Sequence, residues 1–406
     1  MSDSAYTLFV QQQTDRGIDV EQVKARLKAL KVETPSWGYG DSGTRFKVFK
    51  QVGVPRNPFE KLDDAAQVHR LTGICPSVAL HIPWDKVDDY DQLKQHAASL
   101  GLILGAINPN LFQDDDYIFG SLCNSDRAIR RRAVEHILEC IDIARTLNSS
   151  IISLWLADGT NYPGQDSIRG RKHRLLETLT EVYQALDPNM RLLIEYKFFE
   201  PAFYHTDLGD WGMSYNMALK LGDQAQVLVD TGHHAQGTNV EQIVAYLLDE
   251  QKLGGFHFNS RKFADDDLIV GAINPYELFL IFYQILDAHA DTNEGVRQTA
   301  ENIAYMIDQS HCIEPKIPAM IRSVLNVQTQ YAKALLINLD QVKEAQEKQD
   351  VLEAENTVRE AFECDVTPLL HVVREEIGVP TDPMRAYLAS GYADTIRVRG
   401  KGGASW

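Results

Sequence analysis

Short apolar runs alternate along this chain with longer stretches whose apolar positions recur every three or four residues. The short runs are Val78–Ile82, Leu102–Ile107, Ile151–Leu156, Leu192–Tyr196, Val227–Asp230 and Gly255–Phe258, with weaker ones at Leu268–Val270 and Ile303–Ile307. They are rich in β-branched residues and apolar on both sides of the pleat, as a parallel strand covered on both faces requires. Between them lie helical patterns. From Ile129, the residues Ala133, Ile137, Cys140, Ile141 and Ala144 fall on one face of a helix. Asn239 and Gln242 open another in capping-box fashion, with Val240, Ile243, Val244, Leu247 and Leu248 as its buried stripe. Gly254 and Gly255 are expected to stop that helix and release the chain into the next strand. Repeated strand-then-helix order predicts a parallel α/β sheet. Eight strand candidates predict a closed (β/α)8 TIM barrel, although the pattern alone also permits an open doubly wound sheet.

The flanks read differently. Residues 1–35 predict an N-terminal helical segment, with a helix at Val20–Leu30 ahead of the first barrel strand. Residues 36–320 would form the barrel and 321–406 a C-terminal helical extension. The region 320–360 is charged and rich in Ala, Leu and Gln, and Arg397–Trp406 is Gly-rich and predicted to be a flexible tail.

The chain has 406 residues, 44% of them hydrophobic, and a formal net charge of −17. That charge argues against nucleic-acid binding, which needs clustered cations to neutralise phosphates. The one compact basic run, Arg127 to Arg132, sits in a helical pattern and reads as a solvated helix face. Cys75, Cys123, Cys140, Cys312 and Cys364 are scattered, odd in number and never in a C-x-x-C pair, so free thiols in a reducing compartment are expected. With no basic-then-apolar leader and no membrane-length apolar run, a cytoplasmic protein without membrane partners is expected.

Candidate chemistry lies at the C-terminal ends of consecutive apolar runs. Glu195 closes LLIE, Asp230 closes VLVD and His233 follows it, His257 lies in GFHFN, Asp265 and Asp267 lie in KFADDD, and Asp308 closes IAYMID. In a barrel, those ends form the mouth where sites are built. One carboxylate at a strand end is ordinarily a helix cap. Glu, Asp, His and Asp on successive strands are another matter, because ionised carboxylates buried side by side are costly without a cation. An oxygen-rich set with one imidazole suits manganese, magnesium or cobalt better than a thiolate-preferring zinc site, and there are enough groups for two ions. In an extended loop Asp265 and Asp267 would share one side while Asp266 faces away. Lys197 shares the side of Glu195. His81, Trp84 and Trp155 stand at other strand ends, where aromatic rings either pack the core or stack on the apolar face of a sugar.

Seven stretches fall in order between about Ser36 and His311: SWGYGDSGTRF, SVALHIPWD, ISLWLADGTNYPGQDS, LLIEYKFFEPAFYHTDLGDWG, VLVDTGHHAQGTN, GGFHFNSRKFADDDLIVG and IAYMIDQSH. Together they resemble the L-rhamnose isomerase family, above all its broad-specificity bacterial sugar isomerases. The resemblance implies two divalent ions per subunit, usually Mn2+, with Co2+, Mg2+ or Zn2+ as alternatives. Glu195, Asp230, His257 and Asp308 would hold one, and His233, Asp265 and Asp267 the other. Trp37, Trp155, His81 and Lys197 match substrate-contacting positions, and Asp308, Lys197 and His81 become the catalytic candidates. Phe46 matches a residue that reaches in from a neighbouring subunit of a homotetramer. Ser260 stands where family members often carry aspartate. The implied reaction interconverts a monosaccharide aldose and its ketose by hydride transfer between C1 and C2, without an organic cofactor. The absence of a dinucleotide fingerprint or P-loop agrees.

Three rivals remain. A ketose 3-epimerase would use one metal and a pair of glutamates, where the set here has only Glu195. A barrel metallonuclease would need a cationic rim, which −17 opposes. A non-catalytic sugar-binding module would not need an intact ligand set.

Overall fold

The apolar runs do close on themselves. In this computed structural model, which describes residues 2–41, 48–200, 205–310 and 312–402, eight parallel strands form one closed barrel. They are β1 (Glu33–Pro35), β2 (Ser77–Ile82), β3 (Ile103–Pro109), β4 (Ile151–Trp155), β5 (Arg191–Glu195), β6 (Ala225–Asp230), β7 (Leu253–Phe258) and β8 (Ala304–Ile307). Each strand pairs with its neighbours in chain order, and β8 returns to β1. Among the described residues, no helix is long and apolar enough to cross a membrane.

Alternation along the strands sorts side chains into two apolar regions. Ala79, Ala106, Leu193, Leu228 and Met306 form a small cluster of their own with Trp37. The opposite faces of the strands join the larger core beneath the helices, the arrangement a packed barrel requires. Below the small cluster the interior turns polar. The Glu33 carboxylate accepts from Ser77 Oγ and from the Ala106 amide at 3.0 Å. Gly105 leaves the space for it: a Cβ there would lie 1.4 Å from Glu33 Oε2.

The helices follow their patterns. Arg127–Leu147 buries Ala133, Ile137, Cys140, Ile141 and Ala144. Val240–Asp249 buries its expected stripe, and Asn239 Oδ1 caps it by accepting from the Gln242 amide at 2.9 Å. Its end is made differently from the expectation. Gln251, at φ 57°, makes the turn, while Gly254 and Gly255 lie inside β7. A Cβ on Gly254 would meet Leu193 Cδ2 at 2.4 Å, so close packing inside the barrel calls for glycine there.

Three other expectations change. Leu268–Val270 is not a strand: Leu268 makes only an isolated bridge to Ser260, inside the long connection after β7. The missing strand is β1, within the segment read as helical and ahead of residue 36. Its ETP sequence escapes a hydropathy pattern because it is three residues long and turns a carboxylate inward. Across the charged Ala/Leu/Gln-rich region run three helices, Lys316–Ala334, Leu339–Glu347 and Val351–Glu363. The tail is in part anchored. Arg399 Nη1 pairs with Asp64 Oδ2 at 2.9 Å, with both side chains nearly buried, and Val52 bridges Lys401.

Candidate functional site

Because β5, β6 and β7 are adjacent and parallel, residues at or next to their ends meet at the mouth. Glu195 lies opposite Trp155 of β4 and Leu228 of β6, and Asp230 lies opposite His257. Asp308 follows β8, its amide bonded to the Phe258 carbonyl at 3.0 Å. Ligand atoms of Glu195, Asp230, His257 and Asp308 all lie within 4.8 Å of one another, a group that could hold a metal ion.

The donors converge without satisfying each other. His257 Nδ1 is 3.1 Å from Glu195 Oε2 and 3.5 Å from Asp308 Oδ2, yet among the described residues neither His257 Nδ1 nor Glu195 Oε1 finds an aligned hydrogen-bond partner, although both are buried. Buried polar atoms are normally paired, so aligned distances without aligned bonds fit a shared cation at the centre. The two aspartates of the group are well held. Asn259 Nδ2 donates to both Asp230 oxygens at 2.9 and 3.1 Å, the Gly232 amide donates to Asp230 Oδ1 at 2.6 Å, and Trp37 Nε1 donates to Asp308 Oδ1 at 2.8 Å. Such outer contacts aim ligands inward.

Electrostatics point the same way. Burial pushes the Asp230 carboxyl up to about 7, raises Asp308, and sends Asp267 well up, with Asp265, Asp308 and Asp230 adding to it. Burial opposes ionisation of Glu195 too, but the facing imidazoles of His257 and His233 outweigh it and bring that carboxyl down to about 2. His257 would be lowered by burial, and Glu195 instead lifts it to about 9. His233 rises well above its usual range, against burial, beside Asp230 and Asp265. Without a metal, protons on the imidazoles and on the raised carboxyls do the neutralising, which is the position a divalent cation would take over.

The second expected set is brought to the same mouth but is less tightly drawn together. His233 Nδ1 is 3.0 Å from the Tyr196 carbonyl oxygen, and Nε2 is 3.1 Å from Asp265 Oδ1. Among the described residues, His233, Asp265 and Asp267 do not meet the common 4.8 Å separation that the first set meets. Asp265 Oδ2 accepts from Lys197 Nζ at 2.5 Å, so a lysine shares the carboxylate. The loop is not extended as expected. Asp266 folds back to accept from the Phe263 amide at 2.7 Å, and Asp267 adopts the left-handed region at φ 49°.

Lys197 is buried, lies 5.0 Å from the centre of the Trp155 ring, and also donates to Glu200 Oε2 at 2.9 Å. His81 stacks on Trp84 at 3.7 Å and meets Trp37 edge-on at 5.6 Å. Phe112 joins them, 4.5 Å from Trp155 and 5.8 Å from His81, completing an aromatic wall beside the acidic cluster. Burial lowers His81 well below the usual imidazole range, so its ring is neutral. Phe46 lies outside the described residues. Reading the sequence missed Asn259, Glu200 and Phe112. Asn259 stands two residues after His257 in HFN, a signal that could have found it, whereas a lone Phe in a polar loop gives none.

A second buried acidic group lies to one side. Cys123, Asp158 and Asp207 also offer three ligand atoms within 4.8 Å. There Arg171 supplies a cation, donating to Cys123 Sγ at 2.8 Å and to Asp207 Oδ2 at 2.8 Å, while the Ser121 amide and hydroxyl donate to Asp158 Oδ2 at 2.7 and 2.9 Å.

A family model described as xylose isomerase-like TIM barrel matches residues 72–314 of this chain. A probable sugar isomerase of Rhizobium meliloti (strain 1021) is 44% identical over 398 residues, covering 96% of this chain and 91% of that protein. A probable sugar isomerase of Mesorhizobium japonicum is 43% identical over 382 residues, covering 93% and 87%. Among solved structures, an L-ribulose 3-epimerase is similar with a TM-score of 0.56 at 15% identity, covering 76% of this chain and 98% of its own. At that identity the likeness concerns the fold.

Proposed function

Because the chain belongs to the xylose isomerase-like TIM barrel family, we propose that it is a divalent-metal-dependent aldose–ketose isomerase. It would interconvert L-rhamnose and L-rhamnulose and accept other aldoses such as D-allose. The observation that carries this reading is the convergence of Glu195, Asp230, His257 and Asp308 within 4.8 Å beside the aromatic wall of Trp37, His81, Trp84, Phe112 and Trp155. Relatives named as probable sugar isomerases support it. The single glutamate in the four-residue group favours isomerisation over 3-epimerisation by paired glutamates.

Glu195, Asp230, His257 and Asp308 would hold one ion, and His233, Asp265 and Asp267 a second. Manganese is the first choice, with cobalt, magnesium or zinc as alternatives. Bound there, such ions polarise the carbonyl and hydroxyl oxygens of the sugar.

The chain's own residues supply the rest. Trp155, Trp37 and the His81–Trp84 stack cover the apolar face of the sugar and exclude water. His81 presents a buried Nδ1 with no hydrogen bond from the described residues, suited to one sugar hydroxyl. Lys197, locked between Asp265 and Glu200, keeps a positive charge beside the reacting oxygens. Asp308, whose side chain is 28% exposed against 1% for Glu195 and 4% for His257, faces the open mouth. With Trp37 holding its Oδ1, its Oδ2 is the oxygen that would face the ion, and from there it would position the neighbouring sugar hydroxyls between which the proton moves.

The test is an aldose screen with Mn2+, following ketose formation and identifying the product. Conversion between C1 and C2 isomers is expected. A product epimerised at C3, or no turnover of any aldose by metal-loaded protein, would overturn the reading. The homotetramer and the cytoplasmic location belong to the same proposal. Light scattering at micromolar concentration should report four chains.

A further inference from the structure

Away from the acidic cluster, one fully buried ion pair sits directly behind the aromatic wall. Lys61 Nζ, from the helix Pro58–Thr72, lies 2.6 Å from Asp85 Oδ1, and both side chains are 0% exposed. Taking two charges out of water is expensive, and a pair so placed is often no more stable than an apolar replacement. Its contacts suggest what it is for. The other carboxylate oxygen, Asp85 Oδ2, accepts from the His81 amide at 2.8 Å and from the Ser36 hydroxyl. The Asp85 amide donates back to the His81 carbonyl at 2.7 Å. One carboxylate therefore ties the end of β2, at His81, to the residue just after β1, at Ser36. Ser36 precedes Trp37, whose indole nitrogen donates to Asp308 Oδ1 at 2.8 Å and whose ring meets His81 edge-on.

We propose that Asp85, with Lys61 as its buried counter-ion, is a positioning residue for the mouth: it fixes the His81 and Ser36–Trp37 backbone together, and through Trp37 it orients the Asp308 carboxylate. A charged acceptor suits this task, because hydrogen bonds to an ionised group are shorter and stronger than neutral ones, and Asp85 makes three from separate elements. The proposal rests on Asp308 being a metal-holding residue, as set out under Proposed function.

The experiment uses the full-length protein loaded with Mn2+. Asp85→Asn alone would leave the Lys61 ammonium buried without its counter-charge, so the informative variant is Lys61→Met/Asp85→Asn, which removes both charges. Ser36→Ala removes one arm without burying any charge and serves if the double variant folds poorly. Melting temperature, Mn2+ affinity by calorimetry and kcat/KM are measured for each, alone and combined with Trp37→Phe. The neutral double variant should melt close to the wild type, yet bind Mn2+ and turn over about 10- to 100-fold less well, the scale of losing a group that orients a ligand. Combined with Trp37→Phe, the two losses should fall short of their product, because both act through one contact. Recovery of affinity and kcat/KM together with the melting temperature would reduce the pair to a structural role and overturn the proposal, as would strictly multiplicative losses. If the wild type isomerises no aldose, the function reading fails, while the coupling seen in Mn2+ affinity still decides the positioning role.

Discussion

Among the described residues, two largely buried acidic groups meet the same spatial requirement for a cation, and they answer it in opposite ways. In the Cys123–Asp158–Asp207 group, Arg171 supplies the positive charge from within, with a side chain only 1% exposed, and amide and hydroxyl donors finish the coordination. In the Glu195–Asp230–His257–Asp308 group, Glu195 Oε1 and His257 Nδ1 have no aligned hydrogen bond from the described residues, while the two aspartates are tied down by Asn259, Gly232 and Trp37. The lesson is that proximity of acids does not identify a metal centre. What matters is whether the protein has already spent a cation of its own on them.

The sharpest way to break this comparison is to remove a donor from the open group. Asp308→Asn and Glu195→Gln should each lower Mn2+ stoichiometry and strongly reduce turnover, and a chelator should abolish it, with Mn2+ or Co2+ restoring the chelated wild type. Full activity in metal-free protein would end the distinction. Arg171→Met should act on the other side. Leaving Asp158 and Asp207 buried without their counter-charge should cost about 3–5 kcal/mol of stability, read as a lower melting temperature, with Mn2+ stoichiometry unchanged. A variant that instead gained a tightly bound Mn2+ would show the two groups to be interchangeable.

Within the mouth, His233→Ala and Asp267→Asn should lower kcat by about 10² or more, the scale of losing one preorganised electrostatic contact, with KM changed less. Glu195→Gln should damage binding as well as rate wherever residual metal permits measurement. Near-normal kcat in the first two, with metal content confirmed, would remove that set from the chemistry. The smallest effect is the dependence on pH. Metal-free His257 keeps its proton up to about 9 because Glu195 faces it, and that proton must leave before Nδ1 can bind. Mn2+ affinity should therefore rise with pH, by about tenfold per unit for each proton displaced between about pH 6 and 8. A flat profile by calorimetry would mean that the imidazole does not compete with the metal.

Much of the mouth was legible in the sequence because in a barrel one fact does double duty: the residue ending an apolar run is also the residue at the rim. Glu195, Asp230, His257 and Asp308 were found that way and are together in space. The loops were less legible. Asp265 and Asp267 were placed at the mouth, but by strand alternation, whereas a turn closed by Asp266 and a left-handed Asp267 bring them there. β1 was unread because Glu33 is buried by a hydrogen-bonding pocket across Ser77 and Gly105, contacts that exist only once the barrel closes.

The chain by itself thus determined seven of the eight strands, the parallel α/β class, and the acids and histidine at or beside the ends of four of them, because those follow from local periodicity and from hydropathy. Only the tertiary structure decided which acids are left wanting a cation and which have Arg171, and which backbone segments Asp85 ties together. Charge balance in a buried site depends on partners tens of residues apart in sequence, and no local pattern carries that distance.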